Sequence, residues 1–153
     1  MKPFRCTAGV RTAALLLLAT VLLWAPAGAE TNQEPRTLAG WMDRGALLSS
    51  YGNYEAAIQS YQKALVLAPG HPDALFQMGV CYGELRMLDR ALAEMSRAIE
   101  AQPGVGAFHY GRGRVYLLTG DREKAMADFM EAGVLGHPDA RAFLEDQSGV
   151  QWE

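Results

Sequence analysis

Apolar residues along this chain recur at helical spacing in short segments, and the segments come in pairs. Side chains repeating every three or four residues mark an amphipathic helix. On that reading helices are expected at about 38–50, 54–67, 72–85, 88–101, 107–118 and 122–135, with a seventh at about 138–147. Turn-forming or polar residues separate the members of each pair: Tyr51-Gly52-Asn53, Arg86-Met87 and Thr119-Gly120-Asp121. Thr37, Asn53 and Asp121 each precede a segment and suit N-caps, whose side-chain oxygen accepts from a free helical N–H. Pro72 suits a first turn, where its missing N–H is no loss. Pro69 and Pro103 stop the helices before them.

The pairs repeat. The stretch GNYEAAIQSYQKALVLAP at 52–69 has counterparts in LDRALAEMSRAIEAQP at 88–103 and GDREKAMADFMEAGVL at 120–135. Ala57, Ala91 and Ala125 are 34 residues apart, as are Ala64, Ala98 and Ala132. A fixed period of this size marks a stacked repeat. With position 1 at Leu38, Pro72 and Gly106, a glycine falls at position 8 of every unit: Gly45, Gly79 and Gly113. Glycine inside a helix costs about 1 kcal/mol against alanine. A cost repeated at one phase has a packing cause, namely close approach of the second helix of the pair. Tyr61, Met95 and Phe129 at position 24, and Leu48, Tyr82 and Tyr116 at position 11, fill the space between. Such a unit cannot hide its apolar stripe alone, so neighbours stack.

These residues resemble the tetratricopeptide repeat family over roughly 38–137. The match is carried by Trp41, Gly45, Leu48, Ala57, Tyr61, Ala64 and Pro69, then by Leu75, Gly79, Tyr82, Ala91, Ala98 and Pro103. In the third unit it is carried by Gly113, Tyr116, Ala125, Phe129 and Ala132. The chain departs from the family pattern at His109 (position 4) and Arg86 (a turn glycine), and the third unit lacks its closing proline. The resemblance implies an all-α fold, an α-solenoid of antiparallel helix pairs in a right-handed superhelix. The expected division is repeats at 38–71, 72–105 and 106–137, a capping helix at 138–147 and a tail at 148–153. In the cap, Phe143 and Leu144 are expected to cover the third unit while Arg141, Glu145 and Asp146 face water. Terminal repeats need a polar outer face of that kind. Trp152 in the tail is read as packed back on the cap or idle.

Family resemblance also implies a concave groove lined by positions 2, 5, 9, 12 and 13 of each first helix. The best candidates there are Met42, Phe76, Val80, Tyr110, Arg114 and Leu117. The groove is mainly apolar with a basic spot at Arg114, which suits an extended or helical peptide with apolar anchors. The same side chains could equally complete the core. The carboxylate clamp of chaperone-binding relatives needs Lys and Asn at set positions. Met42, Ala46, Gln77, Ala107 and Gly111 stand there instead, so no such clamp is expected. Arg112 at position 7 and Asp128 at position 23 are expected to form a structural ion pair across their helices.

Composition changes the picture at the N-terminus. Lys2, Arg5 and Arg11 are the charges of the first 29 residues, which contain no acid. They precede an apolar run, Ala13 to Trp24, and the small-residue sequence Pro26-Ala27-Gly28-Ala29. A basic start, a short apolar stretch and an Ala-x-Ala site make a secretory signal peptide, so residues 1–29 are expected to be cleaved after Ala29. The rival is an uncleaved anchor, but the uncharged run is near the lower limit for a span of about 20 residues and Pro26 interrupts it. Residues 30–37 read as a flexible lead-in. The mature chain is thus expected in the periplasm or outside the cell. It would carry 11 Lys+Arg against 17 Asp+Glu, a balance of about −6. That acidity supports neither nucleic acid nor an anionic membrane surface as partner.

Little chemistry stands out. Cys6 and Cys81 are the two cysteines, with Cys6 in the leader. Cys81 reads as a small apolar core residue, or as a thiol that pairs with another chain. His71 and His137 sit in matching Gly-His-Pro-Asp-Ala turns 66 residues apart, two short of two periods. Both read as turn and cap residues. With His109 they lack metal-site spacing. No nucleophile–base pair or phosphate loop is apparent, so no enzyme activity, cofactor or metal is expected. The expected function is an exported scaffold that binds a protein or peptide in its groove. The alternatives are a self-assembling structural subunit and an accessory of an envelope enzyme.

Overall fold

The structure is a computed structural model and describes residues 34–148. The expected signal peptide, the start of the expected lead-in and Trp152 fall outside the described residues. Seven helices follow in order: α1 (Leu38–Ser50), α2 (Tyr54–Leu67), α3 (Pro72–Glu84), α4 (Leu88–Ala101), α5 (Gly106–Thr119), α6 (Arg122–Val134) and α7 (Pro138–Ser148). No strand occurs among the described residues, and no described helix is long and apolar enough to cross a membrane.

Local chemistry accounts for the helix ends. Thr37 Oγ1 accepts from the Gly40 N–H at 3.1 Å, and Asp121 Oδ1 from the Lys124 N–H at 3.2 Å. Asn53 does the same for Ala56 at 3.4 Å. His71 caps α3 through Nδ1, which accepts from the Ala74 N–H at 3.4 Å. Gly52 and Gly120 take left-handed backbone angles in the turns inside the first and third units. Arg86 holds the same turn in the second unit with φ +61°, a conformation that costs an L-residue about 1–2 kcal/mol.

Each helix packs on the next, forming antiparallel pairs α1·α2, α3·α4 and α5·α6 that stack in order, with α7 on α6. In addition α1 touches α3, and α3 touches α5. The first helices of the three units therefore lie side by side on one face.

The recurrent glycines act as sequence spacing implies. A Cβ on Gly45 would lie 2.5 Å from the Tyr61 ring, one on Gly79 2.8 Å from Met95 Cγ, and one on Gly113 2.8 Å from the Phe129 ring. Position 8 is thus the notch that receives position 24. Ala57, Ala91 and Ala125 are fully buried at the same crossings.

The cap differs in one respect from expectation. Leu144 is buried, and Phe143 meets Phe129 with ring centroids 4.7 Å apart. Glu145 and Asp146 are exposed. Arg141, however, is half-buried and donates from Nε to the Gly133 carbonyl at 2.8 Å. It gives a second hydrogen bond to a carbonyl in the last turn of α6 that also accepts from the Gly136 N–H at 3.0 Å.

Candidate functional site

The face built by α1, α3 and α5 carries two depressions. One, of about 560 Å³, lies between α3 and α5. Phe76 and Val80 border it from α3, Tyr110, Arg114 and Leu117 from α5. The other, of about 490 Å³, lies between α1 and α3 and includes Met42, Ala46, Ser49, Asp73 and Gln77. Five of the six expected groove residues therefore share one cavity, and Met42 stands at the other.

Burial separates their duties. Met42, Phe76, Val80 and Tyr110 are half-buried, so each shows part of its surface and gives part to the core. Arg114 is exposed and Leu117 is 41% exposed. Phe76 explains why α3 and α5 meet closely above the core. Its ring sits 4.8 Å from that of Phe108, in a space that a Cβ on Gly111 would invade at 2.6 Å. Gly111 is thus a seat for Phe76 and not merely the absence of a clamp residue.

Residues not named as groove candidates also line this cavity, His137 and Arg86 among them. His137 lines it, stacked on Tyr110 with ring centroids 4.4 Å apart and planes 19° apart. Its Nδ1 is buried with no hydrogen-bond partner. The sequence offered one signal, the two residues missing before the second Gly-His-Pro-Asp-Ala turn; here the turn stands against α5. Arg86 also borders the cavity, beside Glu84. Its signal was an arginine in place of a turn glycine.

The Arg112–Asp128 ion pair is present and two-pronged. Nε donates to Oδ2 at 2.8 Å and Nη2 to Oδ1 at 2.7 Å. Nη1 donates to Ser96 Oγ at 3.0 Å, which ties α4 to the pair. His109 is buried beside it, with Nε2 3.1 Å from the Pro103 carbonyl and Nδ1 3.5 Å from Asp128. A carbonyl only accepts, so Nε2 carries the proton there. Neither Arg112 nor Asp128 borders the two cavities. Their geometry serves the stack.

Cys81 is buried at 1% exposure, with Sγ 3.8 Å from Ser49 Oγ. Burial, then the Ser49 contact in the opposite sense, sets its thiol, with the net effect upward. A raised, covered thiol is the opposite of a reactive one. Among the described residues no group of three or more His, Cys, Asp or Glu could hold a metal ion.

Comparison with known proteins turns on the repeat. Two tetratricopeptide repeat models match, at residues 48–105 and 107–132. The chain belongs to the tetratricopeptide repeat family. It is similar to tetratricopeptide repeat protein 1 of Schizosaccharomyces pombe, 33% identical over 67 residues. That match covers 43% of this chain and 6% of the yeast protein. Among solved structures it is similar to YrrB, a tetratricopeptide repeat protein with an unusual peptide-binding site. The TM-score is 0.66 and the identity 25%, over 74% of this chain and 58% of YrrB. It also shares the fold of the first such domain of Spaghetti (RPAP3), solved with the HSP90 peptide SRMEEVD. There the TM-score is 0.68 at 19% identity, over 74% of this chain and 92% of that one. MamA shares it too, with a TM-score of 0.62 at 23% identity, over 68% of this chain and 61% of that one.

Proposed function

We propose that this protein is a non-catalytic scaffold that binds a peptide or protein segment along the face of α1, α3 and α5, outside the cytoplasm after export. The observation that carries the binding reading is the cavity between α3 and α5. Its half-buried Phe76, Val80 and Tyr110 offer apolar surface beside the exposed Leu117 and Leu118. Half-buried apolar side chains in a concave site are what an anchor side chain displaces water from. The peptide-binding site of YrrB supports the same reading. Export rests on the basic, apolar and Ala-x-Ala parts of residues 1–29.

The test is a crosslinking pull-down from the envelope fraction with the protein and a Leu117→Glu, Leu118→Glu variant. Those side chains are exposed, so the variant keeps its fold, whereas Phe76 and Tyr110 are partly core. A partner captured by the protein and lost by the variant supports the groove. A partner kept by both moves binding elsewhere. N-terminal sequencing from the same fraction tests export: a start at Glu30 supports it, and a start at Met1 overturns it. A second reading, self-assembly through an end of the stack, draws on the exposed Leu47 and Tyr51 of the first unit. A monomer by light scattering removes it.

A further inference from the structure

The two cavities of the binding face carry opposite charge. The one between α1 and α3 is bordered by Asp43 and Asp73 and by no basic side chain. The one between α3 and α5 is bordered by Arg86 and Arg114, with Glu84 as its single acid. None of these five groups makes an ion pair with another described residue. Other charges of the domain that lie close together are paired: Arg112 with Asp128, Arg97 with Glu94, and Lys124 with Asp121. The apolar side chain Met42 shares the acidic cavity, and Phe76, Val80 and Tyr110 share the basic one.

Arg86 adds a second, independent point. It holds φ +61° where the other two units place Gly52 at +75° and Gly120 at +84°. Glycine takes that conformation without steric penalty, and arginine does not. The side chain that results borders the cavity instead of pairing within the fold.

Resting on the groove reading above, we propose that this face takes an extended peptide in one direction only. Acidic side chains of the peptide meet Arg86 and Arg114, aliphatic or aromatic ones cover Phe76, Val80 and Tyr110, and a basic one meets Asp43 and Asp73. Complementary potentials of this kind set register and orientation more than affinity. Backbone contacts and apolar anchors hold the peptide, and the charges choose which way it lies.

The experiment is selection of a displayed library of random peptides, about ten residues long, on the purified protein. The expected consensus is an apolar centre with Asp or Glu on one side and Lys or Arg on the other, always in the same order. Arg114→Gln and Arg86→Gly should each weaken the acidic preference about threefold, the scale of a partly exposed ion pair. Arg86→Gly should at the same time raise the melting temperature, because glycine relaxes the turn. Its loss of preference therefore cannot come from a damaged fold. Asp43→Asn with Asp73→Asn should relax the basic end alone. Added salt should flatten both preferences and leave the apolar centre. An apolar consensus without ordered charge overturns this proposal and leaves the groove standing. Absence of any enrichment that Leu117→Glu, Leu118→Glu abolishes overturns the groove and the proposal together.

Discussion

Gly113→Ala adds one methyl group at the crossing of α5 and α6, and the structure states what it meets. The new carbon would lie 2.8 and 3.0 Å from two carbons of the Phe129 ring and 3.2 Å from the Ala125 carbonyl oxygen. Two gains act in its favour. Alanine is about 1 kcal/mol better than glycine inside a helix, and a buried methyl contributes about 0.8 kcal/mol. Overpacking opposes them, and it typically costs about 1–3 kcal/mol or more. Relief is the deciding factor. Phe129 is buried and bracketed by Tyr110 at 5.5 Å and Phe143 at 4.7 Å, so its ring cannot swing aside. The carbonyl is backbone and cannot move without its helix. We expect the upper end of the packing cost, or beyond, and a net loss of about 2 kcal/mol. With a urea slope of about 1.5 kcal/mol/M, the unfolding midpoint followed by circular dichroism falls by about 1.3 M. Gly79→Ala is the internal control. It meets the same kind of backbone carbonyl, Ala91 O at 3.2 Å, but Met95 Cγ at 2.8 Å stands in place of a rigid ring. Methionine adapts more readily than phenylalanine, so its loss should be the smaller of the two, about 1 kcal/mol. Adding Phe129→Leu to Gly113→Ala should recover at least about 1 kcal/mol beyond additivity. A midpoint raised by Gly113→Ala, or a greater loss at Gly79, would refute the notch account.

Three further expectations concern groups inside the stack. Asp128→Asn leaves the partly buried Arg112 guanidinium without its counter-ion and should cost about 2–3 kcal/mol in urea unfolding, below a fully buried pair because the arginine keeps some water; an unchanged midpoint would remove its structural role. Burial pushes the Tyr61 phenol up to about 12, so above about pH 10 the unfolded chain releases a proton that the folded chain holds. Stability is then full below that pH and falls toward pH 12 by up to about 1.4 kcal/mol per pH unit, and Tyr61→Phe should flatten this loss; equal slopes for both proteins would count against it. Cys81 should react with a thiol reagent far more slowly in the folded protein than in urea, and equal rates would mean that the α3 stripe opens freely.

The helices were legible almost to the residue because their ends are written in local chemistry. Thr37, Asn53 and Asp121 cap where their side chains predict, and Pro69 and Pro103 follow the last turns they stop. The notch-and-knob packing was legible because it repeats: one glycine in a helix is ambiguous, but three at one phase are not. The candidate site was legible only as a set of positions. That Phe76 settles over Gly111 is a tertiary contact without a local signature. That His137 belongs to the site depends on a turn two residues early, whose effect is a placement in space. The twin histidines of identical pentapeptides thus differ. His71 caps a helix, whereas His137 stacks on Tyr110 and leaves Nδ1 unpartnered.

Position 10 of the repeat shows where burial comes from in such a stack. Cys81 and Val115 occupy it in the second and third units and are 1% and 5% exposed. Each faces the unit before it: Cys81 meets Ser49, and Val115 lies 3.9 Å from where a Cβ on Gly83 would be. Leu47 occupies the same position in the first unit, is as apolar, and is 56% exposed. Among the described residues no helix lies on its far side. The three residues have the same place in their helices and the same preference for an apolar surrounding, so neither propensity nor periodicity distinguishes them. What differs is the neighbour. In a quasi-one-dimensional fold the core belongs to the interfaces between units, and a side chain is inside only when another unit has stacked upon it. The face of α1, α3 and α5 follows the same rule. Its cavities lie where α1 meets α3 and where α3 meets α5, so each is made by two units and is present in neither alone.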